Sequence, residues 1–243
     1  MKQPWILSRK TFMKATAQSA LLLASGAGMT GCRASRPILR IGLVSDTHYA
    51  DREPAGTRFY RESLGKLKEC VDRMNEERVD FMVHLGDFKD QDSEPEEART
   101  LRYVKDLESV YAKFNGPRYH LLGNHDVDSI SKEQFGKMVE NTGIETGATY
   151  YSFDRGRVHI VVLDATFRQD GVAYDKGNFD WKDTAIPSDQ LAWLKEDLGK
   201  TDKPALVFVH QLLDPMQSEQ HQVKNAAAVR DLLEASGKVL AVF

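Results

Sequence analysis

Tyr119-His120-Leu121-Leu122-Gly123-Asn124-His125-Asp126 runs from a short apolar stretch into an amide, an imidazole and a carboxylate on three consecutive residues. Gly123 stands where the chain must leave a strand, and glycine turns there without a Cβ penalty. The octapeptide draws its weight from its company, because other apolar runs also stop at residues able to do chemistry. Ile38 to Val44 leads into Asp46-Thr47-His48, Asp80 to Leu85 into Gly86-Asp87, and Ala205 to Val209 into His210.

Between these runs the period changes. Arg58 to Glu77 carries Leu64, Leu67, Val71 and Met74 at helical spacing, and Glu94 to Phe114 carries Leu101, Val104, Leu107, Val110 and Tyr111. Strand, helix, strand, helix, strand predicts an α/β fold with a parallel sheet and crossover helices. In such a sheet the loops beyond the carboxyl ends of the strands gather on one rim. Asp46, His48, Asp87, Asn124, His125 and His210 then share that rim. Further on, Ala148 to Phe153 and Arg157 to Leu163 flank Asp154-Arg155-Gly156, a hairpin signal that predicts an antiparallel section and a second sheet. Residues 171–183 read as a long loop. Pro187-Ser188-Asp189 opens a helix through Leu198 with Ser188 as N-cap, Val223 to Ala235 is another helix, and Val239 to Phe243 a last strand.

The 243 residues are 41% hydrophobic and 28% charged, which fits a globular body with a sizeable core. A net charge of −3 gives no basic excess, so nucleic acid is not a required partner. Two cysteines, Cys32 and Cys70, exclude a disulfide framework and a thiolate zinc site. No Gly-x-Ser-x-Gly elbow is present, which argues against a serine hydrolase. Residues 1–32 are set apart as an export signal peptide. Lys2, Arg9, Lys10 and Lys14 form a basic region, and Ala17 to Gly28 is an apolar run too short to span a bilayer comfortably. Ser8 to Lys14 resembles a twin-arginine signal, and Met29-Thr30-Gly31-Cys32 a lipoprotein box in which Cys32 is acylated. The expectation is an exported protein, periplasmic or lipid-anchored, with one domain over 37–243.

Carboxylate, amide oxygen and imidazole together suit ions such as Mn, Fe, Zn or Ni. Two such ions about 3.5–4 Å apart clamp a phosphoryl oxygen and lower the pKa of a bridging water for in-line attack. One carboxylate must bridge them, and Asp87, preceded by a glycine that admits close approach, is chosen. In their order and strand-end contexts, Asp46-x-His48, Gly86-Asp87-x-x-Asp90, Gly123-Asn124-His125-Asp126 and the run into His210 resemble the calcineurin-like metallophosphoesterase superfamily. The resemblance implies two mixed β-sheets sandwiched between helices, and two divalent or trivalent metal ions. It implies Asp46 and His48 on the first metal, Asp87 bridging, and Asn124 and His210 on the second. It implies His125 over the phosphate as proton donor or transition-state hydrogen-bond donor, with Asp126 orienting it. Tyr49 to Leu64 and Gln211 look most like the branch that hydrolyses ADP-ribose, CDP-alcohols and cyclic nucleotides, so the expected partner is a small, nucleotide-like phosphoester.

Family members also carry a closing Gly-His-x-His after a strand, one histidine for each metal. Val239 to Phe243 reads as that strand, so the C-terminal elements of the second sheet are expected to be missing here. The alternative function is accordingly a non-catalytic binding or scaffold protein of the same fold, or an inactive fragment. Blander roles go to the remaining groups. His84, His120 and His159 read as core residues, His221 as solvated, Asp164 as structural and Cys70 as packing. Arg58, Arg61 and Tyr49 read as surface, with contact to a phosphate-bearing substrate as the lesser alternative, and Asp90 as either a support for the Asp87 loop or a solvated carboxylate.

Overall fold

The computed structural model describes residues 39–214 and 219–243. The export signal and Cys32 lie outside the described residues. The first three strands, β1 (Ile41–Val44), β2 (Phe81–His84) and β3 (Arg118–His120), form a parallel sheet in the order β1-β2-β3. Parallel pairing requires crossovers, and α1 (Ser63–Glu76) and α2 (Glu97–Tyr111) supply them. A short α3 (Lys132–Met138) follows, which the apolar periodicity did not reveal. The hairpin appears as β4 (Tyr151–Arg155) and β5 (Val158–Val162), antiparallel around Gly156, and it opens a mixed second sheet. Helix α4 (Ser188–Lys200) leads to β6 (Ala205–Phe208) and α5 (Ala226–Ser236) to β7 (Val239–Val242), both strands parallel to their neighbours, in the order β4-β5-β6-β7.

Side-chain alternation along the strands explains the layering. In β2 and the residue after it, Phe81, Val83 and Leu85 point one way, into a core shared with Tyr151, Ile160, Val162 and Phe208 of the second sheet. Met82 points the other way, joining Leu67, Val71, Val104 and Leu107 of α1 and α2. On the far side, Val161 and Val207 meet Leu194, Leu198, Val229 and Leu233 of α4 and α5. The result is helix, sheet, sheet, helix, as the family resemblance implied.

Two local expectations are corrected. Helix α1 starts at Ser63, because Arg58 to Glu62 are used in turns that bring Arg58 to the rim. Ser188 is the first helical residue of α4 rather than its cap; Pro187 holds the cap position, with its fixed φ near the −65° that suits a helix entry.

His159 is a core residue with a charge role. It sits opposite Asp154 in the β4–β5 ladder, its Nδ1 is 2.8 Å from Asp154 Oδ1, and its Nε2 is 2.8 Å from Asp197 Oδ2 of α4. Burial works against the charge, but Asp197 and then Asp154 raise its pKa above 6.5. A raised folded pKa stabilises the fold fully below the unfolded value, and that contribution fades as pH rises through the folded value. The stability gap between wild type and His159→Gln is therefore expected to be larger near pH 6 than near pH 9.5 in urea unfolding. A gap independent of pH would show that the two carboxylates leave the ring's pKa where it stands in the unfolded chain.

Candidate metal centre

Every sequence-derived ligand follows the carboxyl end of a strand, and the loops carrying them are stitched together by backbone. Beyond the β1–β2 ladder, Asp46 N–H donates to Gly86 O (3.1 Å), His48 N–H to Asp87 O (3.0 Å) and Asp90 N–H to Tyr49 O (2.9 Å). Asp46, His48 and Asp87 all take left-handed backbone, with φ of 57°, 47° and 53°. Such conformations cost non-glycine residues about 1–3 kcal/mol each and persist where the surroundings enforce them. Two glycines let these loops meet. A Cβ on Gly123 would stand 2.2 Å from Asp87 Oδ1, and one on Gly86, itself at φ 87°, would stand 2.7 Å from His210 Nδ1.

Asp87 is the hub. Its Oδ2 lies 3.4 Å from His48 Nε2 and 3.3 Å from His210 Nε2, while its Oδ1 accepts the N–H of His125 at 2.9 Å. Asp46 Oδ1 is 3.5 Å from the same His48 nitrogen. The tautomer of His210 follows from its other side. Leu85 O, which can only accept, lies 2.7 Å from Nδ1, so Nδ1 carries a proton and Nε2 is the nitrogen that faces Asp87, the one that would offer its lone pair to a cation on losing its own proton. For His48, Nδ1 lies 3.2 Å from Asp90 Oδ2, close enough for charge pairing but off the line of a hydrogen bond.

The ligand atoms fall into two groups, Asp46 with Asp87 and His210, and His48 with Asp90 and His125, each within 4.8 Å. Within the second group, Asp90 faces the Nδ1 atoms of both histidines and also Arg58, whereas His48 Nε2 turns toward Asp46 and Asp87. Asp46, His48 and His210 therefore converge on Asp87, and these four residues could hold cations. Asn124 opens the turn between Gly123 and His125, both of which abut the Asp87 carboxylate. The electrostatics agree with a cation site. Burial opposes charge on Asp87, yet His210, then His125 and His48, hold it well below the usual carboxylate range. Burial likewise opposes charge on His210, but Asp87 and Asp46 raise it to about 9.

His125 has its Nδ1 3.2 Å from Asp128 Oδ2 and 3.6 Å from Asp90 Oδ1, and its Nε2 is 3.3 Å from Arg58 Nη1. Burial would lower its pKa, but Asp128 and Asp90 outweigh it and raise the ring to about 10. These carboxylates, rather than Asp126, orient His125. The Asp126 side chain is fully buried, and each of its oxygens takes two backbone N–H groups. Oδ2 accepts from Asp87 and Gly123, both at 2.9 Å, and Oδ1 from Phe88 at 2.9 Å and Lys89 at 3.3 Å. Its work is to hold the Asp87 loop against the His125 turn.

Sequence reasoning left several participants out or on the surface. Asp128 and the fully buried Lys89, which pair with each other, carry no strand-end signal. Arg58 reads from sequence as a helix start, yet it bonds Asp90 and reaches His125. Asp90 is buried and serves both histidines, so the solvated alternative is set aside. His84, fully buried at the end of β2, meets Thr47 Oγ1 at 2.8 Å and so braces the residue between Asp46 and His48.

Comparison with known proteins places this geometry. Residues 39–243 match the family model for the calcineurin-like phosphoesterase. A manganese-dependent ADP-ribose/CDP-alcohol diphosphatase of Arabidopsis thaliana is 31% identical over 141 residues, 55% of this chain and 44% of that protein. Its namesake from Oryza sativa subsp. japonica is 27% identical over 192 residues, 75% of this chain and 56% of that one. The chain spans about half the length of the curated relatives it matches. The solved structure of a dimetal phosphatase from Danio rerio superposes with a TM-score of 0.70 at 20% identity, over 85% of this chain and 81% of that one, a likeness of fold. With a family model running through every rim residue from Asp46 to His210, the chain belongs to the calcineurin-like phosphoesterase family.

Proposed function

We propose that this domain hydrolyses phosphodiester or pyrophosphate bonds of small, nucleotide-like substrates with a pair of divalent metal ions such as manganese. The observation that carries the reading is the buried Asp87 oxygen facing both His48 Nε2 and His210 Nε2, one acceptor shared between two ligand sets. Asp46, His48, Asp87, Asn124 and His210 would hold the ions. Once bound, the ions supply Lewis acidity to phosphoryl oxygens and an acidified water. The chain's own groups do the rest. Arg58 Nη1 and His125 Nε2, side by side, face the phosphoryl group; the guanidinium neutralises its charge. Asp128 and Asp90 keep His125 protonated, so that Nε2 donates a hydrogen bond, and then its proton, to the departing oxygen. The names of the relatives support the substrate class and the choice of manganese.

The test is calorimetric titration of metal-stripped protein with Mn²⁺, beside turnover of bis-p-nitrophenyl phosphate and ADP-ribose. Two Mn²⁺ bound per chain and turnover abolished by chelator are expected. Absence of both binding and turnover would leave the scaffold reading.

A further inference from the structure

Between the end of β1 and the start of α1 lies an open cavity of about 250 Å³, lined by Asp46 and His48 on one wall and by Arg58, Phe59, Ser63 and Lys66 on the other. It reaches both ligand groups of the metal centre through Asp46 and His48. Pockets for whole small molecules run to about 300–1,000 Å³, so this one suits one part of a substrate whose scissile bond lies at the rim. Its chemistry is unlike that of the rim. Phe59 is half exposed, one of few large apolar side chains so placed among the described residues. Lys66 Nζ sits 5.3 Å from the centre of that ring, and no carboxylate among the described residues pairs with it. Its neighbours on the same segment are paired, Arg61 with Asp51 and Glu53 and Lys68 with Asp72. An ammonium without a carboxylate beside a half-exposed aromatic ring, at the mouth of a phosphoester site, would bind an anionic group joined to a flat ring.

We infer that this cavity is the subsite for the half of a diphosphate substrate beyond the scissile bond, with Lys66 on its second phosphate and Phe59 against its base. The inference rests on the phosphoesterase reading and adds to it which residues choose a diphosphate over a monophosphate. Arg58 stays with the reacting phosphate, where its bond to Asp90 holds it beside His125. Lys66 and Phe59 touch no metal ligand set, so they act on affinity for the distant half alone.

The experiment measures binding rather than turnover. The Mn²⁺-loaded chain is titrated by calorimetry with ADP, AMP and inorganic pyrophosphate, for wild type, Lys66→Met, Lys66→Arg and Phe59→Ala. One charge-assisted contact should make wild type favour ADP over AMP about tenfold. Lys66→Met should erase that preference and weaken pyrophosphate, and Lys66→Arg should keep both. Phe59→Ala should weaken ADP and AMP while sparing pyrophosphate. An ADP preference that survives Lys66→Met, or a Phe59→Ala loss as large for pyrophosphate as for ADP, overturns the subsite. Both side chains are exposed, so their loss leaves the fold intact, which the melting temperature verifies. Failure of Mn²⁺-dependent turnover would reject the phosphoesterase reading on its own, since the ADP-to-AMP ratio is read without catalysis.

Discussion

Asp126→Ala is expected to lower the stability of the metal-free protein by about 4 kcal/mol, measured by urea unfolding at neutral pH. The side chain is fully buried and takes four backbone N–H groups, two on each oxygen. Removing it leaves donors in the Asp87 loop and at Gly123 without an acceptor, and each buried unpaired group costs about 1–3 kcal/mol. Water entering the gap recovers part of that sum. The sharper expectation concerns Asp126→Asn, ordinarily a mild change. An amide offers one oxygen to two of the four donors and turns its NH₂ toward the other two. Asparagine should therefore recover less than half of the loss. If Asp126→Asn were as stable as wild type, one pair of these N–H bonds would contribute nothing. Both variants should also weaken Mn²⁺ binding, because the left-handed turn at Asp87 is held from behind by these bonds.

How much of this was legible in the sequence follows from the range of each interaction. Strands, crossovers and the rim were readable because they rest on local periodicity and on where apolar runs stop. Asp46, His48, Asp87 and His210 were found in that way, and the structure brings their side chains together. Asp128 was not found, because its partners lie on the neighbouring turn and on the distant Lys89, with no pattern to mark it. Arg58 was misplaced for a related reason. The helical period of α1 extends back past Ser63 in sequence, while contacts with Asp90 and His125 hold the preceding residues in turns. Asp126 was assigned to its neighbour in sequence, His125, when its bonds go to a loop nearly 40 residues earlier. Helix α3 did leave a signal. Ser131 accepts from Gln134 N–H and Gln134 Oε1 accepts from Ser131 N–H, a capping box spelled Ser-x-x-Gln.

Strain and electrostatics at the rim have one cause. Three ligand residues sit in left-handed backbone, and glycines at 86 and 123 give the room in which Asp87 approaches two histidines. A loop free to relax would separate these groups. The backbone stitching of Asp46, His48 and Tyr49 to the β2 loop, with Asp126 beneath it, prevents that and pre-organises the donors.

Asp87→Asn should therefore have the largest functional effect of any single change, because it keeps the shape of the hub and removes its charge. Disturbing even the groups that orient a metal ligand typically costs about 10–100-fold in affinity, and Asp87 is itself shared between both ligand sets. A loss beyond about 100-fold in Mn²⁺ affinity, with turnover falling further, is expected. The metal-free protein offers an independent readout. Asp87 is the largest influence raising His210, which is held at about 9 against its burial. With the carboxylate gone, burial is less opposed and the His210 ring should lose its proton at a lower pH, visible in the histidine resonances of an NMR titration. The same substitution should lower His48 less, since Asp46 and Asp90 also face it. If Asp87→Asn bound two Mn²⁺ within tenfold of wild type, the shared-oxygen arrangement would be wrong even with the histidine shifts as expected. If the metal were lost but His210 kept its proton, the ring would be held by Leu85 O and Asp46, and Asp87 would act on the metals alone.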